Sequence, residues 1–234
     1  MNIKNLAELL NKFSSCKILV WGDAILDEYI YGEVWRISRE APVVILKFRE
    51  KRYRPGGATN AVNNLLSLGA KVYFWGWVGN DPEGERILAL LQDKGVNTEG
   101  VKIEDRESIV KTRIMAGSMH RFPQQMIRID RGEKKEDIEE EFFHKQWESI
   151  EKEIDGVLIS DYGYGSVNPS LYKALRNRKE IWVVDSRFSL ISFPQPTVIT
   201  PNEEEAIESS GVKDALEGAK RLKEKMKPRA VVLT

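Results

Sequence analysis

The sequence predicts an α/β protein: a mainly parallel sheet covered on both faces by helices, with a small second sheet set to one side. Two textures of the chain carry that expectation. In the first, short apolar runs with strand character alternate with helical patterns, the signature of parallel strands joined by crossover helices. In the second, strand-like runs come in pairs with no helix between the members. A third observation marks where a ligand would sit. In "YRPGGATNAVNNLLSLGA" (residues 53–70) a glycine pair stands immediately before an apolar-periodic run, where a helix N-terminus presents free N–H groups.

Taken in order, "MNIKNLAELLNKF" puts Leu6, Leu9, Leu10 and Phe13 on one face of a short amphipathic helix and contains no signal-like apolar stretch. "KILVW" (17–21) is the first strand. "DEYIYGEVWRI" and "APVVILKF" form the first pair of the second texture. A helix follows over 57–68, where Ala58, Ala61, Val62, Leu65 and Leu66 recur at helical spacing and Gly69 ends the run. "KVYFW" (71–75) and a helix near 83–94 continue the alternation, and "SIVKTRIMAG" with "QQMIRID" is the second pair. The two pairs, covering about 28–49 and 109–130, predict a small antiparallel sheet built from two insertions. Such an appendage serves as a lid over a ligand or as a dimerisation surface.

The charged stretch "GEKKEDIEEEFFHKQWESIEKEI" keeps Ile138, Phe142, Trp147, Ile150 and Ile154 at helical spacing, so it reads as a long helix over 136–154 with a solvated face. "GVLIS" (156–160), "IWVVD" (181–185), "TVIT" (197–200) and "AVVLT" (230–234) are further strands, with helical patterns at 169–178 and 213–226.

Lysine plus arginine equal aspartate plus glutamate at 36 each among 234 residues. That balance argues against a nucleic-acid or membrane-surface role, which shows a basic excess. The lone Cys16 allows no internal disulfide and fits a reducing cytoplasm, as a small residue beside the first strand. The aromatic run "VYFWGWVG" is too short to span a bilayer. His120 and His144 have no neighbours at metal-ligand spacing, so no zinc site is expected.

Ligands of open parallel sheets bind beyond the carboxyl ends of the strands. There the sequence places Gly22-Asp23 with Asp27 after the first strand, Asp161 and "YGYG" after "GVLIS", Asp185-Ser186-Arg187 after "IWVV", and "TPNEEE" (200–205) after "TVI". This convergence points to a polar-ligand site. Each piece also has a local explanation. Asp161 and Asp185 suit a helix cap or a strand end. Thr200, Pro201 and Glu203 make a capping box that leaves Asn202 and Glu205 unaccounted for. No G-x-x-x-x-G-K-[ST] is present. "VLISDYGYGSVNPSLYKAL" approaches a dinucleotide-binding fingerprint, with Asp185 as the ribose acid, but Asn168 and Pro169 at the third glycine read as a helix cap.

The ordered set "ILVWGDAILDEYIYGEVWRISREAPVVI", "RPGGATNAVNNLLSLGA", "VGNDPEGERILALLQDKGV", "QQMIRID", "ISDYGYG" and "ITPNEEEA" resembles the ribokinase-like (PfkB) sugar kinases, and most closely their heptose 7-phosphate kinase branch. The likeness runs from about Lys17 to Thr234. It implies a three-layer α/β/α core with a β lid that often forms a homodimer interface. It also implies transfer of the γ-phosphoryl of ATP to a sugar hydroxyl with Mg2+ and an aspartate base, chemistry that is mostly alignment and charge neutralisation.

By that resemblance, Asp27 holds sugar hydroxyls with Asp23 beside it. Gly56 and Gly57 close over the sugar, Asn60 bonds it, and Asp161 borders it. Arg113, Gln125 and Arg128 of the lid would meet a sugar phosphate. Arg187 would meet nucleotide phosphate, and Asn202 and Glu205 would organise Mg2+ and the phosphates through water or phosphate oxygens. The branch also carries lysines where this chain has Tyr164 and Arg187; arginine keeps the charge and tyrosine does not. The family's G-A-G-D segment, which supplies an anion hole and the base, is absent up to Thr234. The expectation is therefore a partial kinase domain over 1–234, its catalytic aspartate beyond Thr234. Two alternatives stay open: a sugar-binding or dimerising remnant without catalysis, and a dinucleotide-dependent dehydrogenase.

Overall fold

A computed structural model describes residues 8, 10–117, 122–134, 139–176 and 181–234. Leu6, Leu9, His120 and Ile138, named above, lie outside these residues.

The core is a seven-stranded sheet in which every pairing is parallel. Its strands are β1 (Lys17–Gly22), β4 (Lys71–Gly79), β5 (Asn97–Glu104), β8 (Gly156–Asp161), β9 (Ile181–Ser186), β10 (Val198–Ile199) and β11 (Ala230–Val231), in the spatial order β11-β10-β9-β8-β1-β4-β5. Helices α1 (Ala58–Ser67) and α2 (Pro82–Gln92) pack on one face. Helices α3 (Glu140–Ile150), α4 (Pro169–Leu175), α5 (Glu203–Ser210) and α6 (Ala215–Met226) cover the other. Alternation along β1 decides the division. Leu19 and Trp21 enter a cluster with Trp75, Phe143, Trp147 and Trp182, while Val20 enters one with Val62, Phe74, Ile87 and Leu91. Full burial of each such side chain is worth about 1.5–3 kcal/mol, so this pattern of apolar residues sets which way each strand faces.

Several expectations are corrected. β5 was not read from the sequence: its "NTEGVKIE" alternates weakly because it is an edge strand, half covered. The helix expected over 136–154 is observed over Glu140–Ile150, and Phe143 is buried beside the expected Trp147 and Ile150, with Phe142 only partly covered. Helix α4 starts as expected, with the Asn168 side chain accepting from the amides of Ser170 and Leu171 and Pro169 at its first position.

The lid is a separate sheet of β2 (Ala24–Ile37), β3 (Val44–Gly57), β6 (Ile109–Gly117) and β7 (Gln124–Arg131), in the order β3-β2-β6-β7. It is mixed rather than antiparallel. Each insertion folds as its own antiparallel hairpin, and the two hairpins join through a parallel pairing of β2 with β6. Both strands leave the same end of the core sheet in the same direction, so they can meet only in parallel.

Candidate functional site

β2 leaves the core one residue after β1, and β3 returns to it through the glycine pair into α1. A Cβ on Gly56 would lie 2.6 Å from Oδ2 of Asp27, and Gly57, at φ +57°, is the N-cap of α1 with its Cα against the Asp23 carbonyl and Ile25. The pair is glycine because its own chain approaches it closely, with the Asp27 carboxylate seated on the first of the two. Asn60 is exposed on the first turn of α1.

Asp23 is only 1% exposed, and its carboxylate accepts the amides of Tyr162 (2.7 Å), Tyr164 (3.1 Å) and Ser166 (2.9 Å). Burial pushes its carboxyl above the ordinary range, and the three amides pull it part of the way back. Asp23, expected beside the sugar, anchors the loop after β8. The same bonds count against the dinucleotide fingerprint, because the loop amides that would cradle a pyrophosphate already serve Asp23.

Asp161, at the end of β8, is likewise engaged. It accepts the Gly163 amide (2.9 Å), the Ser186 hydroxyl (2.7 Å) and the Ser189 hydroxyl (2.5 Å), and its carbonyl takes the Arg187 amide (3.0 Å). It ties the ends of β8 and β9 together and fixes the turn that carries Arg187 and Phe188.

The capping box at α5 is offset by two residues from the expected one. Asn202 is the N-cap and accepts the Glu205 amide (2.8 Å), while the Glu205 carboxylate accepts the Asn202 amide (2.9 Å). The Thr200 amide is bonded to the Val184 carbonyl within the sheet, so it is not free to return a bond to Glu203. So the two residues left for function by the sequence are the ones that start the helix.

Asp161, Arg187, Asn202 and Glu205 nevertheless line one cavity of about 500 Å³ at the carboxyl end of the sheet, together with Tyr162, Asp185, Phe188, Thr200, Glu204 and Glu208. Burial first, then the charges of Glu205 and Asp161, raise the Asp185 carboxyl to about 6. A carboxylate left short of positive charge suits a cation or a cation-bound phosphate. Among the described residues no three His, Cys, Asp or Glu side chains are gathered closely enough to cage a metal. The donor set fits Mg2+ held through water and phosphate oxygens, that ion's usual habit.

The other expected residues lie on the smaller sheet. Asp27 accepts from Arg113 at 2.5 Å, so two of the expected residues meet directly. Strand register puts Arg128 opposite Arg113, and Gln125 opposite Met115 two residues further along. Arg128 is bonded to Asp130 at 2.8 and 3.0 Å on an exposed strand. Tyr162 lies between the cavity and this sheet. Burial raises its phenol, and the nearby charges of Asp185, Asp27 and Glu205 add to that rise.

The profile of the pfkB family carbohydrate kinases matches residues 16–234. The chain belongs to that family. Among curated relatives it is 40% identical over 209 residues to the bifunctional protein HldE of Desulfatibacillum aliphaticivorans, covering 86% of this chain and 42% of the relative. It is 35% identical over 232 residues to that of Shewanella sp. MR-4, covering 96% and 48%. The chain thus spans less than half the length of these relatives. In fold it is similar to phosphofructokinase-2 of Escherichia coli in complex with fructose-6-phosphate, with a TM-score of 0.69, 16% identity, and coverage of 93% of this chain and 73% of that one. A carbohydrate kinase of Agrobacterium tumefaciens gives a TM-score of 0.62 at 17% identity, with coverage of 94% and 70%.

Within this pfkB fold, the sequence singled out neither Tyr162 nor Phe188 of the cavity lining, and left Asp185 out of the kinase assignments. Asp185 had a readable signal as the last residue of an apolar strand. Tyr162 and Phe188 had none, since their place depends on how Asp23 and Asp161 draw in their loops.

Proposed function

We propose that the chain is the sugar-binding and metal-phosphate-organising part of an ATP-dependent kinase for a sugar phosphate, of the heptose 7-phosphate type. The observation that carries this is the division of the site about Tyr162. On one side Asp27 and Arg113 offer hydroxyl and anion contacts on the lid. On the other, Asp185, Asn202 and Glu205 frame an acidic cavity at the strand ends. A phosphoryl-transfer enzyme needs those two subsites side by side, one aligning the acceptor and one managing the charge of the donor. Family membership and the relatives of 35–40% identity support the same reading.

In this reading Asp27, with Asn60, orients the acceptor hydroxyls, and the Gly56 position keeps space over them. Asp185 and Glu205 hold the hydration shell of Mg2+, and Arg187 takes a phosphate oxygen. Mg2+, when bound, neutralises charge on the transferring phosphoryl group. The base belongs to a part of the family pattern that these residues do not include.

The lid back face supports a homodimer through the lid. Val34, Phe48, Ile127 and Ile129 are large, exposed and apolar there, and a second copy would cover them. Phe48→Asp is expected to convert a dimer to monomer by light scattering; an unchanged mass removes that interface.

The deciding experiment measures ADP release from MgATP by the protein of the complete reading frame, with D-glycero-D-manno-heptose 7-phosphate, fructose 6-phosphate and ribose as acceptors. Turnover confined to the heptose phosphate supports the proposal. Turnover with none, alongside sugar binding, supports the non-catalytic alternative.

A further inference from the structure

An acidic substrate is recognised by a cation whose charge is not already matched. On the front face of the lid, two neighbouring rungs hold the candidates. One rung aligns Arg54, Asp27, Lys111 and Asp130, and the next aligns Arg52, Tyr29, Arg113 and Arg128. Five cations therefore share these rungs with two carboxylates. Arg113 is bonded to Asp27, Arg128 to Asp130 through two nitrogens, and Arg52 to Glu50. Cations on the opposite face are matched as well, Lys51 by Glu28 and Arg131 by Glu83. Among the described residues, two charges of these rungs are left without an ion pair: Arg54, exposed on the edge strand with its guanidinium 5.6 Å from the Tyr29 ring centre, and Lys111, half-buried against the core. Among the described residues the Lys111 ammonium makes no ion pair and no hydrogen bond, and lies 5.8 Å from the ring centre of Tyr162 and 5.5 Å from that of Tyr164.

We infer that Lys111, rather than a lid arginine, is the residue by which this site prefers a sugar bearing an anionic group over a neutral one. The inference rests on the sugar-kinase reading above. Its physical basis is the difference between a matched and an unmatched charge. An arriving phosphate must break a hydrogen-bonded ion pair to reach Arg113 or Arg128, whereas Lys111 feels the charges of Asp27 and Asp130 but is bonded to neither. The tyrosine rings thin the water around it, and burial lowers the lysine pKa accordingly, so the ammonium gains from an anionic partner. Position is also assured. Both tyrosines belong to the loop whose amides Asp23 holds, so the rings under the ammonium are fixed by the core even though Lys111 itself is on the lid.

The test is calorimetric titration of the full chain with D-glycero-D-manno-heptose 7-phosphate and with the unphosphorylated heptose, for the native protein, Lys111→Met, Lys111→Arg and Arg128→Met. The native protein is expected to prefer the phosphorylated sugar at least tenfold, about one hydrogen-bonded charge contact. Lys111→Met should bring the ratio of the two affinities near one, Lys111→Arg should restore most of it, and Arg128→Met should keep it. A ratio retained in Lys111→Met and lost in Arg128→Met overturns the inference and leaves the kinase reading standing. So does a native protein that binds both sugars equally. A native protein that binds neither sugar overturns the sugar-kinase reading itself.

Discussion

At the carboxyl end of the core sheet the carboxylates turn back on their own backbone: Asp23 takes three amides, Asp161 two serine hydroxyls and an amide, and Glu205 the amide of its own N-cap. On the lid, Asp27 and Asp130 face arginines from a partly or fully exposed sheet. The same residue type serves two purposes in the two places. In the core it builds the loops that shape the cavity, and its removal should be felt as lost stability. On the lid it tunes charge, and its removal should be felt as lost affinity. A carboxylate at a strand end is therefore poor evidence of ligand contact until its hydrogen bonds are counted.

The sharpest way to break this comparison is Asp23→Ala. It leaves three loop amides without an acceptor, two partly buried and that of Ser166 buried, and is expected to cost about 3 kcal/mol or more in urea unfolding. A loss under about 1 kcal/mol would remove the structural role assigned to it.

Asp185 should behave in the opposite sense. Burial, then Glu205 and Asp161, raise it to about 6. A carboxyl with a raised folded-state pKa holds its proton more tightly folded than unfolded. Its ionisation therefore costs stability, which is recovered as pH falls from about 6 towards 4. Asp185→Asn should add about 2 kcal/mol at pH 7, allowing for partial exposure, and flatten that stretch of the pH profile. Binding of MgATP should weaken about tenfold in the same variant. Stability that falls on substitution would place Asp185 with Asp23 instead.

On the lid, Gly56→Ala drives a methyl into the Asp27 carboxylate. Sugar affinity should drop about tenfold for a stability change near 1 kcal/mol, because one aligned charged contact is lost while the fold is little disturbed. Equal changes in both would show that Asp27 is structural too. The smallest effect belongs to Arg128→Ala, on an exposed strand with its charge matched by Asp130. Less than about 0.5 kcal/mol is expected in stability, and little in sugar affinity by titration.

The core was legible because burial writes itself into composition. "KILVW" and "GVLIS" can only be inside, and Asn168-Pro169 can hardly do other than start a helix. β5 was not legible, since an edge strand needs no continuous apolar run. The lid hairpins could be seen, but their parallel joint could not, because alternation along a strand says nothing about which neighbour it will meet. At the site, the sequence shows which residue types gather but not which bonds they make. "TPNEEE" offers two overlapping capping boxes, and the choice between them shows only in the structure, where the Thr200 amide joins the sheet and Asn202 caps the helix. The value of Lys111 is invisible in sequence, since it arises from what Arg113 and Arg128 have already bonded.

The parallel joint between β2 and β6 also bears on how the protein is made. Thr112 and Glu28, bonded across it, are 84 residues apart in the chain. Closing so long a loop is entropically costly until the intervening β4, α2 and β5 have docked, so the joint is a late event in folding. On the ribosome, where N-terminal segments emerge first, the first hairpin must wait with one side unpaired until β6 and β7 have been synthesised. Through that interval its long free edge and apolar back face are open to the wrong partner, which makes this hairpin the segment where a chaperone would be needed most.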